Sequence, residues 1–378
     1  MKLRSLRGRA LISGAVVEDA VVTFDERIHF AGEPGQDDAA ERFEGLLVPG
    51  FIDLHVHGAA GADFMDGTVE GAESIARFHA QHGTVALAGT TLSASSESIG
   101  RAISAIAEAA QRQAMHGAEI VAVHLEGPYI NSAKAGAQDL ASIRPPNLDE
   151  TQHWLDLAGA LRCLMTVAPE IDGTLPLLER FRGAITFSLG HSEATYAKAI
   201  EAFDHGATHV THLFNAMAPF HHREPGLAGA VLVNDQVTAE VIADGLHLHR
   251  ALLRFLGLTL SHRLALVTDA MRACGMPAGT YKLYNHDVIV DENGARLNNG
   301  VLAGSLLTMA DAVRNMVELA GVPLEITIPM ASLIPARILG IDHRKGKIQA
   351  GYDADLLILS SKLEPERVFI RGAELPHS

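Results

Sequence analysis

Aromatic residues make up only 5% of the 378-residue chain, with a single Trp. That excludes a stacking platform for bases and an aromatic-lined sugar groove. Cysteine is almost absent. Cys163 and Cys274 are the only two and stand far apart, which leaves no disulfide framework and no Cys-based zinc site. No apolar run reaches the ~18 residues of a membrane span. Positive charge is the scarcer sign: 30 Lys and Arg stand against 45 Asp and Glu, a formal charge of −15. Such a surface repels phosphodiester backbones and excludes nucleic acid as a partner. An anionic ligand must then be held by a few local cationic or amide groups. Lys2, Arg4, Arg7 and Arg9 make the N-terminus basic, but Glu18 and Asp19 break the apolar stretch behind them. No secretory leader is read there, and the cytoplasm is the expected compartment.

What is present is apolar residues (48%), Gly (35) and His (20). The first supports a sizeable core. The His excess hints at metal or proton chemistry, although most of these histidines are expected at the surface.

Residues 1–48 read as short strands and turns, as in ALISGAVV and AVVTF. The last segment, KGKIQAGYDADLLILS followed by RVFIRG, has the same character. Two β-rich ends around a long middle predict one small β-sandwich domain assembled from both termini. The middle carries eight short apolar runs: Leu46–Asp53, Val85–Thr90, Ile120–Leu125, Leu161–Val167, Ile185–Leu189, Thr208–His212, Ala239–Ile242 and Leu264–Thr268. Helix-forming stretches lie between them, such as GAESIARFHAQHG and ESIGRAISAIAEAAQRQAMHG. Strand–helix alternation implies parallel strands with crossover helices, and eight units suggest a (β/α)8 TIM barrel. A doubly wound open sheet gives similar local patterns, so periodicity alone leaves both open.

The residues that end these runs are the informative ones. The first run leads into Asp53-Leu54-His55-Val56-His57, and residues two apart on a strand share a face, so both histidines can reach one ion. The third ends in His124-Leu125-Glu126-Gly127-Pro128, where a buried carboxylate needs a partner. His191, His212 and Asp269 follow the fifth, sixth and eighth runs. Each has a plain structural explanation alone. Together they form a set of His and carboxylate groups at the C-terminal ends of strands, where barrel active sites assemble, and two His with one carboxylate can hold a hydrolytic metal.

PGFIDLHVHG (49–58), HLEGPYIN (124–131), GHSEAT (190–195), THLFNAM (211–217), HHREPG (221–226), ADGLHL (243–248), TDAM (268–271), LAGS (302–305), PARILGI (335–341) and KGKIQAGYDADLLIL (345–359) follow in order. In these motifs the chain resembles the N-acetylglucosamine-6-phosphate deacetylases of the amidohydrolase superfamily. The resemblance implies a barrel over 49–344, flanked by the small β domain from 1–48 and 345–378. It implies hydrolysis of the acetamide of an N-acetylated amino-sugar 6-phosphate, the glucosamine form first and the galactosamine epimer as the alternative. Glu126, His191 and His212 would bind the principal divalent ion, zinc before other metals. His55 and His57 would supply a second site, with Glu126 as a bridge. Asp269 matches the catalytic acid and base. Arg223 matches the phosphate-binding Arg contributed across a homodimer, His247 a substrate-binding His, and Asn215 and Ala216 contacts near the sugar and phosphate. One position departs from the pattern: Gln138 stands where a KGAH-type segment carries a His that reaches the substrate carbonyl, and Gln can donate a hydrogen bond but carries no proton or charge.

Overall fold

The computed structural model describes residues 2–35, 40–112 and 117–376. Eight parallel strands follow one another in chain order: β1 (Phe51–Val56), β2 (Thr84–Thr91), β3 (Glu119–Glu126), β4 (Arg162–Val167), β5 (Thr186–Leu189), β6 (Ala207–Val210), β7 (Thr238–Ile242) and β8 (Leu264–Val267). Their residues are almost all buried, as expected where helices cover one face of a parallel sheet and its own interior fills the other. The ring closes where β1 meets the end of β8: Asp269 N donates to His55 O at 2.9 Å, and Val56 bridges Ala270. Asp53 seals the same seam, accepting from Thr268 Oγ1 at 2.6 Å. This settles the barrel against the open sheet.

Amphipathic helices between the strands bury one face. In Ser96–Arg112, Ile99, Ile103 and Ile106 lie on one side and are fully buried, the spacing of a single helical face. The rest of that expected helical stretch, 113–116, lies outside the described residues.

The first apolar run, Leu46–Asp53, divides between two sheets. Glu41–Pro49 belongs to the terminal sheet and β1 to the barrel. Gly50 stands at the change, and a Cβ there would lie 2.2 Å from Val85 Cγ1, so only glycine lets the chain pass this close to β2.

Both chain ends meet in one seven-stranded sheet, in the order Ala373–Glu374, Pro365–Ile370, Leu356–Leu359, Glu41–Pro49, Arg4–Ile12, Ala15–Phe24, Ile28–Gly32. It encloses its own apolar cluster, with Leu6, Val22, Phe24, Leu47, Leu356 and Phe369 fully buried. A polar lock fastens its tail to the barrel. Lys345 is buried against Asp355, with Glu119 at 2.8 Å and Asp353 at 3.4 Å. Arg344 reaches the same Glu119 and Asp353, both at 2.6 Å. Glu119 opens β3, so the KGKIQAGYDAD motif acts here as a fastening.

A three-stranded antiparallel sheet, Gly279–Leu283, His286–Asp291 and Gly294–Leu297, follows β8 and is absent from the sequence reading. It packs on Leu92, Met271 and Ala303 and covers part of the barrel mouth. Among the described residues no helix is long and apolar enough to cross a membrane.

Candidate active site

The C-terminal ends of the strands converge on a cavity of about 260 Å³ lined by His57, Glu126, Gln138, His191, His212, Asn215, Ala216, His247 and Asp269, with Leu283, Val301 and Leu302 forming an apolar wall. Its polar residues come from the ends of β1, β3, β5, β6 and β8 and from the loops that follow β3, β6 and β7. The backbone turns sharply there: His191 (φ 46), His212 (27), Phe214 (74), Ala216 (49) and Asp269 (50) all lie in the left-handed region. Non-glycine residues in that region carry strain of order ~1–3 kcal/mol each and cluster at functional sites. Here the turns carry the side chains off the strand axis into the cavity.

Glu126, His191 and His212 form a tight triangle. Glu126 Oε1 lies 3.1 Å from His191 Nε2 and 3.1 Å from His212 Nε2, and the two nitrogens are 3.1 Å apart. A tetrahedral ion with bonds of about 2.0–2.1 Å spaces its ligand atoms about 3.3 Å apart. The donor set therefore fits a divalent cation. The tautomer fits too, because His191 Nδ1 donates to Lys134 O at 2.8 Å, which leaves the Nε2 lone pair facing inward.

A second group adjoins the first. His55 Nε2 and His57 Nε2 are 3.2 Å apart and lie 3.3 Å from Glu126 Oε1 and Oε2 respectively. Asp269 Oδ1 faces His57 Nε2 at 3.2 Å and His55 Nε2 at 3.6 Å. Both groups can hold a metal ion, and Glu126 belongs to each. His57 Nδ1 and His212 Nδ1 are buried with no hydrogen-bond partner among the described residues, so the polar contacts of those rings concentrate on their cavity-facing edges.

The electrostatics follow from this crowding. Burial alone would raise the Glu126 carboxyl, but His55 and His191 outweigh it and hold it well below the ordinary range. Asp269 is lowered in the same way, His55 and His57 overcoming burial. For His57 burial opposes protonation, yet contacts with Asp269 and Glu126 raise it to about 9. A cluster this rich in facing imidazoles and carboxylates favours a shared cation.

Gln138 sits deeper than a rim residue. Ser93 N donates to its Oε1 at 2.6 Å, and its Nε2 donates to Glu126 Oε2 at 2.6 Å. Both ends of the amide are thus engaged by the protein. His247 is held by Asp244, Nδ1 to Oδ2 at 2.6 Å, which presents its other edge to the cavity. Arg223 is not brought to the cavity. It lies on an exposed turn with Nη1 2.9 Å from His222 Nε2, so within one chain it makes no part of the site.

Residues the sequence reading passed over support this rim from below. Asp53 accepts from His55 N and Thr268 N, both at 3.2 Å; burial pushes its carboxyl up to about 7. Glu240 and His209 are fully buried inside the barrel. A charged residue inside the apolar run Ala239–Ile242 was the available signal, since buried charge must be partnered.

An α/β barrel with a His- and carboxylate-lined mouth able to hold metal defines a hydrolase of the amidohydrolase type. The amidohydrolase family model matches residues 46–375, and the chain belongs to that family, among its N-acetylglucosamine-6-phosphate deacetylases. It is 38% identical to the N-acetylglucosamine-6-phosphate deacetylase of Bacillus subtilis, over 90% of this chain and 87% of that one. It is 36% identical to the N-acetylgalactosamine-6-phosphate deacetylase of Escherichia coli O157:H7, over 97% and 98%. Among solved structures it superposes with a TM-score of 0.94 and 32% identity on a variant of the Mycobacterium smegmatis N-acetyl-D-glucosamine-6-phosphate deacetylase in complex with N-acetyl-D-glucosamine 6-phosphate, covering 99% of this chain and 100% of that one.

Proposed function

We propose that the protein hydrolyses the acetamide of N-acetyl-D-glucosamine 6-phosphate to D-glucosamine 6-phosphate and acetate. The observation that carries this is the convergence of Glu126, His191, His212 and Asp269 on one cavity, in a chain whose full-length relatives are deacetylases of this kind. Glu126, His191 and His212 would hold the principal ion, zinc by preference for this N and O donor set, and His55, His57 and Glu126 would hold a second. A divalent ion in such a site supplies Lewis acidity and lowers the pKa of water toward ~7.

The chain's own groups account for the rest. Asp269 takes a proton from the attacking water and delivers one to the leaving amine nitrogen; its carboxylate lines the cavity with Oδ1 3.2 Å from His57 Nε2. The Gln138 amide has two N–H donors. One is committed to Glu126, and the other serves the acyl oxygen of the substrate. His247, fixed by Asp244, binds the sugar, with Asn215 and Ala216 beside it toward the phosphate. Arg223 completes the phosphate site from a second copy in a homodimer, which reconciles its chemistry with its exposed position. Residues 49–344 form the catalytic unit and 1–48 with 345–378 the fastening domain. A phosphorylated sugar does not cross membranes unaided, and the two cysteines are free, so the cytoplasm is the compartment.

The reading is tested by acetate release from N-acetylglucosamine 6-phosphate beside the galactosamine epimer and the unphosphorylated sugar. Preference for the first supports it. Preference for the epimer, the reaction named for the Escherichia coli relative, would replace the sugar and keep the chemistry.

A further inference from the structure

Behind the cavity-facing edge of His55 runs a buried chain of hydrogen bonds that hydrolysis itself does not use. Glu240, on β7, is 0% exposed. Its Oε2 accepts from His55 Nδ1 at 3.1 Å and from the backbone N of His212 at 3.3 Å. Its Oε1 accepts from His209 Nε2 at 3.1 Å, and His209 Nδ1 lies 2.7 Å from Thr238 Oγ1. Glu240 O also accepts from Leu213 N at 2.8 Å. One carboxylate therefore touches a ligand of the second group and the backbone that carries a ligand of the first.

An ionised carboxylate only accepts, so His55 must carry its proton on Nδ1, which leaves the lone pair on Nε2. That lone pair faces the point where His57 Nε2 and Glu126 Oε1 converge, 3.2 and 3.3 Å away. We propose that Glu240 is the positioning residue of the second metal position: it locks His55 in the donor tautomer and ties it to the His212 turn, so that the chain takes two divalent ions. The proposal rests on the reading of the rim as a metal centre.

His55, His124 and Glu240 also lie close enough together to suggest an ion of their own. His124 argues against that. Its Nε2 is 2.8 Å from Thr166 Oγ1 and its Nδ1 3.2 Å from Leu54 O, so both nitrogens are already engaged. The interior group is a hydrogen-bonded support.

The test is zinc titration of the chelator-stripped full chain, with ions per chain measured by mass spectrometry and the sites followed by Co²⁺ absorption. The wild type should take two ions. In Glu240→Leu the first ion should be retained at wild-type affinity and the second weakened ~10–100-fold, the usual cost of losing such a supporting partner. Glu240→Gln still offers His55 an acceptor oxygen, while its amide can face His209 Nε2 once that ring's proton moves to the Thr238 side. Its second-ion affinity should fall by less than in Glu240→Leu, with the first ion unchanged. Should Glu240→Leu not fold, the Glu240→Gln loss decides: it should vanish in a His55→Asn background, because Glu240 acts through His55. A wild type that binds a single ion, or variants that bind both ions normally or lose both in parallel, would overturn the proposal. A one-ion wild type that still releases acetate would leave the deacetylase reading standing and remove this one.

Discussion

Gln138 and Glu126 are joined by a 2.6 Å hydrogen bond whose direction is set from behind, because the Ser93 backbone N–H occupies the other end of the Gln138 amide at 2.6 Å. The NH2 group has no alternative but to face the Glu126 carboxylate. Gln138→Ala should lower kcat/KM about 10–100-fold, as expected when a partner of a metal-ligating group is lost. Gln138→Glu should be worse than Gln138→Ala, since it sets a second carboxylate against the first. Steady-state kinetics on both variants check this, and a Gln138→Glu enzyme of wild-type activity would refute the role.

Lys345 is buried among Glu119, Asp353 and Asp355. Lys345→Met keeps the volume and takes the cation away from the buried Asp355, while Arg344 still reaches Glu119 and Asp353, at a cost of about 3–5 kcal/mol. A lowered Tm with the metal-site donors untouched is the expected outcome. An unchanged Tm would mean that the tail motif does not fasten the two sheets.

The Glu119 side of the same lock is sensitive to acid. Burial raises its pKa, but Arg344 and Lys345 outweigh burial and lower it from 4.5 to about 2. A depressed folded-state pKa contributes stability that is full above the unfolded value and is lost as pH falls through the folded one. The Tm advantage of wild type over Glu119→Gln should therefore be greatest above about pH 4.5 and shrink toward pH 2. A difference independent of pH would place the effect in packing instead.

Much of this site was legible because barrels put their chemistry at one kind of place. Glu126, His191, His212 and Asp269 each end an apolar run, and the structure brings all four to one cavity. Of the interior support, buried charge inside an apolar run marks Glu240, but the partner it serves is not legible from sequence, since His55 and Glu240 are 185 residues apart. The three-stranded sheet over the mouth was missed for another reason. Its strands are mostly exposed, with little apolar periodicity, yet Asn293-Gly294, where the second turn passes into the third strand, is a hairpin signal. The split of the first apolar run at Gly50 is likewise invisible to hydrophobicity, because both halves are buried in different sheets.

Arg223 is exposed and outside the cavity of its own chain, so the phosphate-binding role proposed for it requires a second copy. Arg223→Ala should raise KM for the phosphorylated sugar about 10–100-fold, the worth of a charge-assisted contact, and leave the unphosphorylated sugar nearly unaffected. Mixing Arg223→Ala chains with Asp269→Asn chains should restore turnover, since a mixed dimer contains one site with both residues intact. Equal loss on both sugars, or no complementation, would remove the phosphate assignment.

The most direct measurement is acetate release from N-acetylglucosamine 6-phosphate by wild type and Asp269→Asn, before and after chelation and zinc restoration. Wild type should release acetate fast, lose that activity on chelation and recover it with zinc, and Asp269→Asn should show a fall of about 10²–10⁴-fold in kcat with KM little changed. Release that survives chelation, or an Asp269→Asn enzyme as fast as wild type, would overturn the metal-dependent role of Asp269.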